Sequence, residues 1–137
     1  GVKPIAKILC YTTAGCRADE MGVGPAYAIP KALKIAGLKV EDINLWEVNE
    51  AFASQCIYSF QQLGLYDKKE LWAYDSDKRI INVNGGAIAL GHPLGCTGAK
   101  LCAQLMNEMR ERGAKYGIES MCIGGGMGAA AVFELCD

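Results

Sequence analysis

The chain lacks most of the features that mark nucleic-acid-binding and membrane proteins. Its 14 basic and 15 acidic residues give a net charge of −1 and are spread along the sequence. This balance predicts no nucleic-acid partner and no polybasic membrane patch. No apolar run approaches the roughly 18 to 20 residues that a membrane-spanning helix needs, so we expect no association with a membrane.

The chain also lacks the cysteine and histidine spacing of a metal site. It has seven cysteines but no CxxC pair, and it has only one histidine. An odd number of cysteines without such spacing fits neither a disulfide framework nor a zinc site, so we expect no metal. Cysteines at this frequency in apolar surroundings usually serve as small core residues, which is typical of an intracellular, reducing compartment.

What is present predicts a single α/β domain over residues 1–137. The element order is β-α-β-α-β-α-β-β, which we interpret as a mixed five-stranded sheet with helices packed on it. Two segments, 16–24 and 65–79, are expected as a loop and an exposed excursion. Strands are predicted at residues 5–13, 42–48, 80–83, 115–123 and 129–135; helices at 26–36, from 51 to about 63, and from Thr97, as its cap, to 112.

The only histidine lies in a glycine-rich stretch, NVNGGAIALGHPLGCTGAK, at residues 82–100. Gly91 and Pro93 flank His92, so the backbone can approach a ligand closely while the proline restricts its conformation. A side chain with a near-neutral pKa on a turn before a helix suits proton transfer or hydrogen bonding to a developing anion. A purely structural histidine that hydrogen-bonds the turn is the alternative.

Two further polar side chains stand where predicted strands end. Asn49 follows the strand DINLWEV, and Cys122 directly precedes Ile123 and the run GGG. Strand ends of this kind assemble sites in open α/β sheets, and glycine amides near Cys122 favour a thiolate. The structural alternatives are a helix N-cap for Asn49 and an inert buried thiol for Cys122.

The sequence closely resembles the C-terminal domain of the thiolase family from about Ile5 through Glu134. Four motifs carry the resemblance in the family's order and spacing. The sequences NEAFASQ and GMGAAAVFE are more similar to those of degradative 3-ketoacyl-CoA thiolases than to those of the short-chain biosynthetic branch. The motifs are MGVGP at 21–25, NEAFA at 49–53, NVNGGAIALGHPLGCTGA at 82–99 and CIGGGMGAAAVFE at 122–134.

The resemblance implies one half of the thiolase fold and CoA-dependent Claisen chemistry, run as thiolysis of a 3-ketoacyl-CoA or as condensation. It implies that Cys122 is the acid/base at the α-carbon and that His92 activates a nucleophilic cysteine and stabilises the enolate oxygen. Asn49 would hold a water in the first oxyanion hole, and the Gly124 amide would contribute to the second. Met21 and Phe52 would be substrate-pocket walls, although core positions are an equal alternative for both.

The resemblance also implies what the chain needs from elsewhere. The acylated nucleophile belongs to the family's N-terminal domain, so we expect the chain alone to be inactive. Coenzyme A and acyl-CoA would be substrates, and no cofactor is expected. Partners would be an N-terminal thiolase domain and further copies in a homo-oligomer, in the cytoplasm or, in a eukaryote, a peroxisome or mitochondrion. A noncatalytic thiolase-like domain that serves dimerisation or binding is the alternative.

Overall fold

A computed structural model describes residues 1–136, which form one sheet with helices on both faces. The sheet has four strands in the order β1-β4-β3-β2. Strand β2 runs parallel to β3, whereas β4 is antiparallel to both of its neighbours. The strands are β1 (Ala6–Gly15), β2 (Leu45–Val48), β3 (Tyr116–Ile123) and β4 (Met127–Leu135); the helices are α1 (Gly24–Ala36), α2 (Ala53–Gln62), α3 (Ala87–Leu90) and α4 (Thr97–Arg112).

The α/β class is confirmed, but the predicted fifth strand at residues 80–83 is wrong. Its apolar residues make only one isolated bridge, between Ile81 and Trp46 beside β2. The next residue, Asn82, has a φ of 47° and so turns the chain away from the sheet. Asn82 then pairs with β2 through its side chain, because its amide oxygen accepts from Val48 N at 2.8 Å and its Nδ2 donates to Val48 O at 2.9 Å.

The predicted helix ends at residues 36 and 112 are confirmed, while two predicted loops contain more structure than expected. Gly37 and Gly113 follow α1 and α4 with φ values of 70° and 62°, a conformation that glycine adopts without strain. The supposed loop before α1 holds a short 3-10 helix, Ala18–Val23. The supposed exposed excursion is anchored by Leu65, which is 2% exposed, and by Trp72, whose ring stacks on Tyr66 at 5.9 Å.

The two faces of the sheet are covered differently. Helix α1 lies across β1 and β4, and its Ile29 and Leu33 enter a core cluster that extends to Ile118 and Val132. Helix α4 packs mainly over β3 and β2, where Leu105 and Met109 form a second, smaller cluster. The side of β1 that faces away from α1 is therefore left open beside α4.

Exposed apolar side chains mark this open region. Ile8 pairs with Phe133 and Tyr11 pairs with Ala131, and both β4 residues belong to the cluster under α4. Directly paired residues in a sheet share a face, so Ile8 and Tyr11 point to the α4 side. They are 63% and 67% exposed. We call the surface formed by Ile8, Tyr11 and the neighbouring part of β4 the open half-face.

Buried charged groups lie under α4. Glu47 on β2 and Glu119 on β3 are register partners and are 2% and 8% exposed. Burial raises the pKa of Glu47 to about 8, against the opposing effect of the Lys100 ammonium, and also raises the pKa of Glu119. Gln104 Nε2 donates to Glu47 Oε1 at 3.1 Å. Glu47 Oε2, Glu119 Oε2 and Lys100 Nζ have no hydrogen-bond partner within residues 1–136.

No helix within residues 1–136 is long and apolar enough to cross a lipid bilayer.

Candidate active site

One cleft of about 460 Å³ collects most of the candidate site residues. It opens where β3 ends, between the glycine-rich turn after β3 and the loop that leads into α4. His92, Cys122 and Gly124 line it together with Met21 and Phe52. These residues come from four separate segments of the sequence, so the fold, rather than local sequence, brings them together.

Asn49 lies behind the cleft at the end of β2 and contacts the histidine. It is 1% exposed, and its backbone N–H donates to Ser120 O at 2.9 Å, which extends the pairing of β2 with β3. Its Nδ2 lies 3.5 Å from His92 Nε2, and its Oδ1 has no partner among the described residues. The alternative interpretation as a helix N-cap is wrong, because α2 begins at Ala53 and Phe52 is its N-cap.

Glu50 ties the Asn49 segment to the loop that carries His92. Its Oε1 accepts from Asn82 Nδ2 at 2.9 Å and its Oε2 accepts from Ile88 N at 3.1 Å. A Cβ on Gly86 would lie 2.1 Å from the Glu50 carboxyl carbon, so glycine is required for this approach. The carboxylate therefore holds the end of β2, the Asn82 turn and the start of α3 in one arrangement.

His92 is exposed on the cleft side and held on the other side by a residue that the sequence analysis assigned elsewhere. Its Nδ1 lies 2.7 Å from Thr97 Oγ1, and the Thr97 hydroxyl also donates to Pro93 O at 3.1 Å. Thr97 was expected to cap α4, but it is the first residue of that helix, and Cys96 is the N-cap without a side-chain cap bond. The position of Thr97 five residues after His92 was the available signal, but the threonine was interpreted from its place at the helix start, as a cap.

Cys122 is the second-last residue of β3, just before the glycines. Its surroundings favour the protonated thiol. The expectation that neighbouring amides would favour a thiolate is wrong for this chain, because burial raises the pKa of Cys122. A backbone hydrogen bond opposes this effect only in part, and the nearby Cys16 adds to it. Within residues 1–136, Cys122 is the only thiol that lines the cleft.

The glycines after Cys122 make a tight turn. Gly125 and Gly126 have φ values of 88° and 90°, which side-chain-bearing residues rarely adopt. A Cβ on Gly126 would lie 2.5 Å from Cys16 O. The two residues are also joined by a hydrogen bond, in which Cys16 N donates to Gly126 O at 2.8 Å. The turn is thus clamped against the end of β1, and Gly124 stays at the edge of the cleft.

Met21 and Phe52 form the apolar wall opposite the catalytic candidates. Phe52 is 58% exposed, so it is not a core residue. Met21 lies in the 3-10 helix that precedes α1. Just after it, the backbone of α1 contacts the backbone of β4 at Gly24 and Gly128. A Cβ on Gly128 would lie 2.2 Å from the Gly24 carbonyl group, so both positions need glycine.

Within residues 1–136, two of the cysteines outside the cleft are inert in character. Burial raises the pKa of Cys56 and of Cys102 to about 12. In the part of the chain that the structure describes, no group of three or more His, Cys, Asp or Glu side chains is arranged to hold a metal ion.

Comparison with known proteins identifies the family of the chain. The family model described as "Thiolase, C-terminal domain" matches residues 2–135. The 3-ketoacyl-CoA thiolase of Bacillus subtilis is 52% identical over 136 residues, which cover 99% of this chain and 32% of the relative. The human peroxisomal 3-ketoacyl-CoA thiolase is 53% identical over 133 residues, which cover 96% of this chain and 29% of the relative.

Solved structures show the same fold. The human mitochondrial 3-ketoacyl-CoA thiolase superposes with a TM-score of 0.87 at 46% identity, and a second structure of it holds CoA. The match covers 98% of this chain and 32% of that protein. The chain thus spans about a third of the length of the relatives that it matches, and over that third it belongs to the thiolase family.

Proposed function

We propose that this chain is the C-terminal catalytic part of a CoA-dependent thiolase, an acyltransferase that cleaves 3-ketoacyl-CoA with CoA or runs the reverse Claisen condensation. The observation that carries the proposal is the convergence of His92, Cys122 and Gly124 on one cleft, with Asn49 in contact with His92. The relatives' names and the CoA-bound human structure support acyl-CoA and CoA as substrates. No cofactor takes part in the proposed chemistry.

Cys122 serves as the acid/base at the α-carbon. When the carbon–carbon bond of a 3-ketoacyl-CoA breaks, the electron pair stays on the α-carbon as an enolate, which must gain a proton to leave as a shorter acyl-CoA. A thiol whose pKa is raised by burial is protonated at neutral pH and can donate this proton. The resulting Cys122 thiolate then takes the proton from the incoming CoA thiol, which restores the starting state.

His92, Asn49 and Gly124 stabilise charge. Oxyanions that develop next to thioesters are stabilised by preorganised hydrogen-bond donors in a site that excludes water. The Nε2 edge of His92 faces the cleft beside Asn49, and Nε2–H donates a hydrogen bond to the enolate oxygen. A water held by the Asn49 carboxamide is the second donor. The Gly124 amide serves the tetrahedral intermediate on the acylated nucleophile.

The acylated nucleophile comes from a companion domain. Cys122 already has the acid/base role, and no other described thiol lines the cleft, so covalent catalysis requires a cysteine from the part of the relatives that this chain does not span. The open half-face, with Ile8 and Tyr11 more than half exposed, is the surface on which we place that companion. The assembled enzyme is a homo-oligomer of such pairs.

Seven free thiols favour a reducing compartment for the assembled protein. Relatives named peroxisomal and mitochondrial, together with a bacterial one, support a location in the cytoplasm or, in a eukaryote, in one of those organelles.

A thiolysis assay with acetoacetyl-CoA and CoA tests the proposal. The purified chain alone should show no turnover, because it lacks the nucleophile. Addition of the N-terminal part of a homologous 3-ketoacyl-CoA thiolase should restore turnover. Cys122→Ser should abolish the restored activity, whereas Cys136→Ser, at the far end of β4, should leave it unchanged.

Two results would contradict this function. Turnover by the chain alone would show that one of its own thiols acts as the nucleophile. A stable complex with the N-terminal part that has no turnover, with the Cys136→Ser and wild-type chains equally inert, would favour the noncatalytic binding or dimerisation domain.

A further inference from the structure

We propose that Thr97 is a positioning residue that sets the tautomer of His92, with the proton on Nδ1 and the lone pair on Nε2. The inference rests on the proposed function, because it concerns the same imidazole. It assigns a role to Thr97 and a protonation state to His92, neither of which the family resemblance implies.

The first observation is the contact on the Nδ1 side. Thr97 is 2% exposed, and its Oγ1 lies 2.7 Å from His92 Nδ1. A threonine hydroxyl has one hydrogen and two lone pairs. That hydrogen is directed to Pro93 O at 3.1 Å, an i to i−4 bond of the kind that threonine makes at a helix start. The oxygen lone pair that remains accepts the hydrogen of Nδ1.

The second observation is the contact on the Nε2 side. Asn49 Nδ2 lies 3.5 Å from His92 Nε2, and an amide NH₂ group can only donate. A donor at this distance favours a lone pair over a hydrogen on Nε2 in the resting ring. Two contacts on opposite edges of the ring, from two separate elements, therefore select the same tautomer.

This tautomer gives the proposed reaction the base that it needs. The lone pair of Nε2 faces the cleft and can take the proton from the sulfur of the companion's cysteine, which leaves a thiolate and an imidazolium. The new Nε2–H is then free to donate to the enolate oxygen, while the Nδ1–H keeps its bond to Thr97. Because the Thr97 oxygen is neutral, it orients the imidazolium without holding the proton as a carboxylate would.

The structure supplies a matched pair of substitutions. Thr97→Val keeps the shape and β-branching of the side chain but removes the acceptor at Nδ1. Thr97→Ser keeps the hydroxyl and loses only a methyl group. A purely structural role for the buried methyl would make serine the more damaging change, whereas the tautomer role makes valine the more damaging one.

Nitrogen-15 NMR of the 137-residue chain reads the tautomer directly, because His92 is its only histidine. We expect the neutral ring of the wild-type chain and of Thr97→Ser to carry its proton on Nδ1 and none on Nε2. Thr97→Val should move the population toward the Nε2–H form, since Nδ1–H loses its acceptor. A wild-type ring with its proton on Nε2 would overturn the proposal, even if Thr97→Val fails to fold.

Kinetics of the complex with the N-terminal part give the second readout. Thr97→Val should lower kcat by roughly fivefold to tenfold with little change in KM, while Thr97→Ser should keep both constants near their wild-type values. Equal kcat for the valine and wild-type proteins would overturn the positioning role. The tautomer is measured without turnover, so a failure of the proposed function and a failure of this inference give different results.

Discussion

The two faces of the sheet differ in how complete they are. Under α1, apolar side chains such as Ile29, which is 0% exposed, fill a continuous core. On the α4 side the core is smaller, and the buried atoms Glu119 Oε2 and Lys100 Nζ lack hydrogen-bond partners within residues 1–136. Ile8, on the open half-face beside α4, remains 63% exposed. One face therefore resembles the interior of an independent domain, and the other resembles an interface.

The proposed catalytic cleft lies at the end of β3, at the edge of the sheet. His92 and Thr97 belong to the loop and helix of the α4 side, and Cys122 ends the strand beneath them. The donors and the acid/base group that we propose thus lie at the border of the incomplete face, where we place the companion domain that brings the nucleophile. The α1 side provides rigidity, because it fixes β4 and the glycine turn.

The largest expected contrast comes from the same substitution on each face. Ile29→Ala removes a fully buried side chain from the α1 core and should reduce the free energy of unfolding by about 2 to 5 kcal/mol. Ile8→Ala, on the open half-face, should change it by no more than about 0.5 kcal/mol but should weaken binding of the N-terminal part. Urea unfolding of each variant and titration with the N-terminal part measure both effects.

The comparison would fail if Ile8→Ala were as destabilising as Ile29→Ala in the chain alone. It would also fail if Ile8→Ala left binding of the N-terminal part unchanged, since the open half-face would then not be the docking surface.

A smaller effect concerns the buried carboxylates under α4. The pKa of Glu47 is raised by burial from 4.5 to about 8, so the folded state binds this proton more tightly than the unfolded state does. The contribution of Glu47 to the free energy of unfolding is fully present below its pKa in the unfolded state. It is lost as the pH rises toward its pKa in the folded state, with a slope of at most about 1.4 kcal/mol per pH unit. Glu47→Gln should flatten this decline in urea unfolding between about pH 5 and about pH 8.

Glu20→Gln, on the exposed 3-10 helix before α1, is the control and should leave the decline unchanged. A Glu47→Gln chain with the wild-type pH dependence would show that Glu47 is charged in the folded state and that Lys100 compensates its burial.

Much of the fold could be predicted because its signals are local. The apolar spacing along α4 and the glycines at 37 and 113 fix the helix and its ends. The segment at 80–83 could not be recognised as a near-strand, because its apolar pattern is that of a strand. What ends it is the positive φ of Asn82 and the pairing of its side chain with Val48, which depend on tertiary contact.

For the site, the motifs indicated the residue types, but not how the residues meet. Asn49 and His92 lie 43 positions apart and come within 3.5 Å of each other. The Glu50 carboxylate, which bonds both Asn82 and Ile88, helps to hold their two segments together. Thr97 was missed because a threonine at a helix start is normally a cap. The raised pKa of Cys122 was missed because burial cannot be inferred from neighbouring glycines.

Exchange of the α-hydrogens of acetyl-CoA in D₂O tests the central claim most directly. The claim is that Cys122 acts on the α-carbon within the cleft formed with His92 and Asn49. The complex of the chain with the N-terminal part should catalyse the exchange, and Cys122→Ser should slow it by at least about a hundredfold while Cys136→Ser does not. Exchange at the wild-type rate in Cys122→Ser would contradict the account.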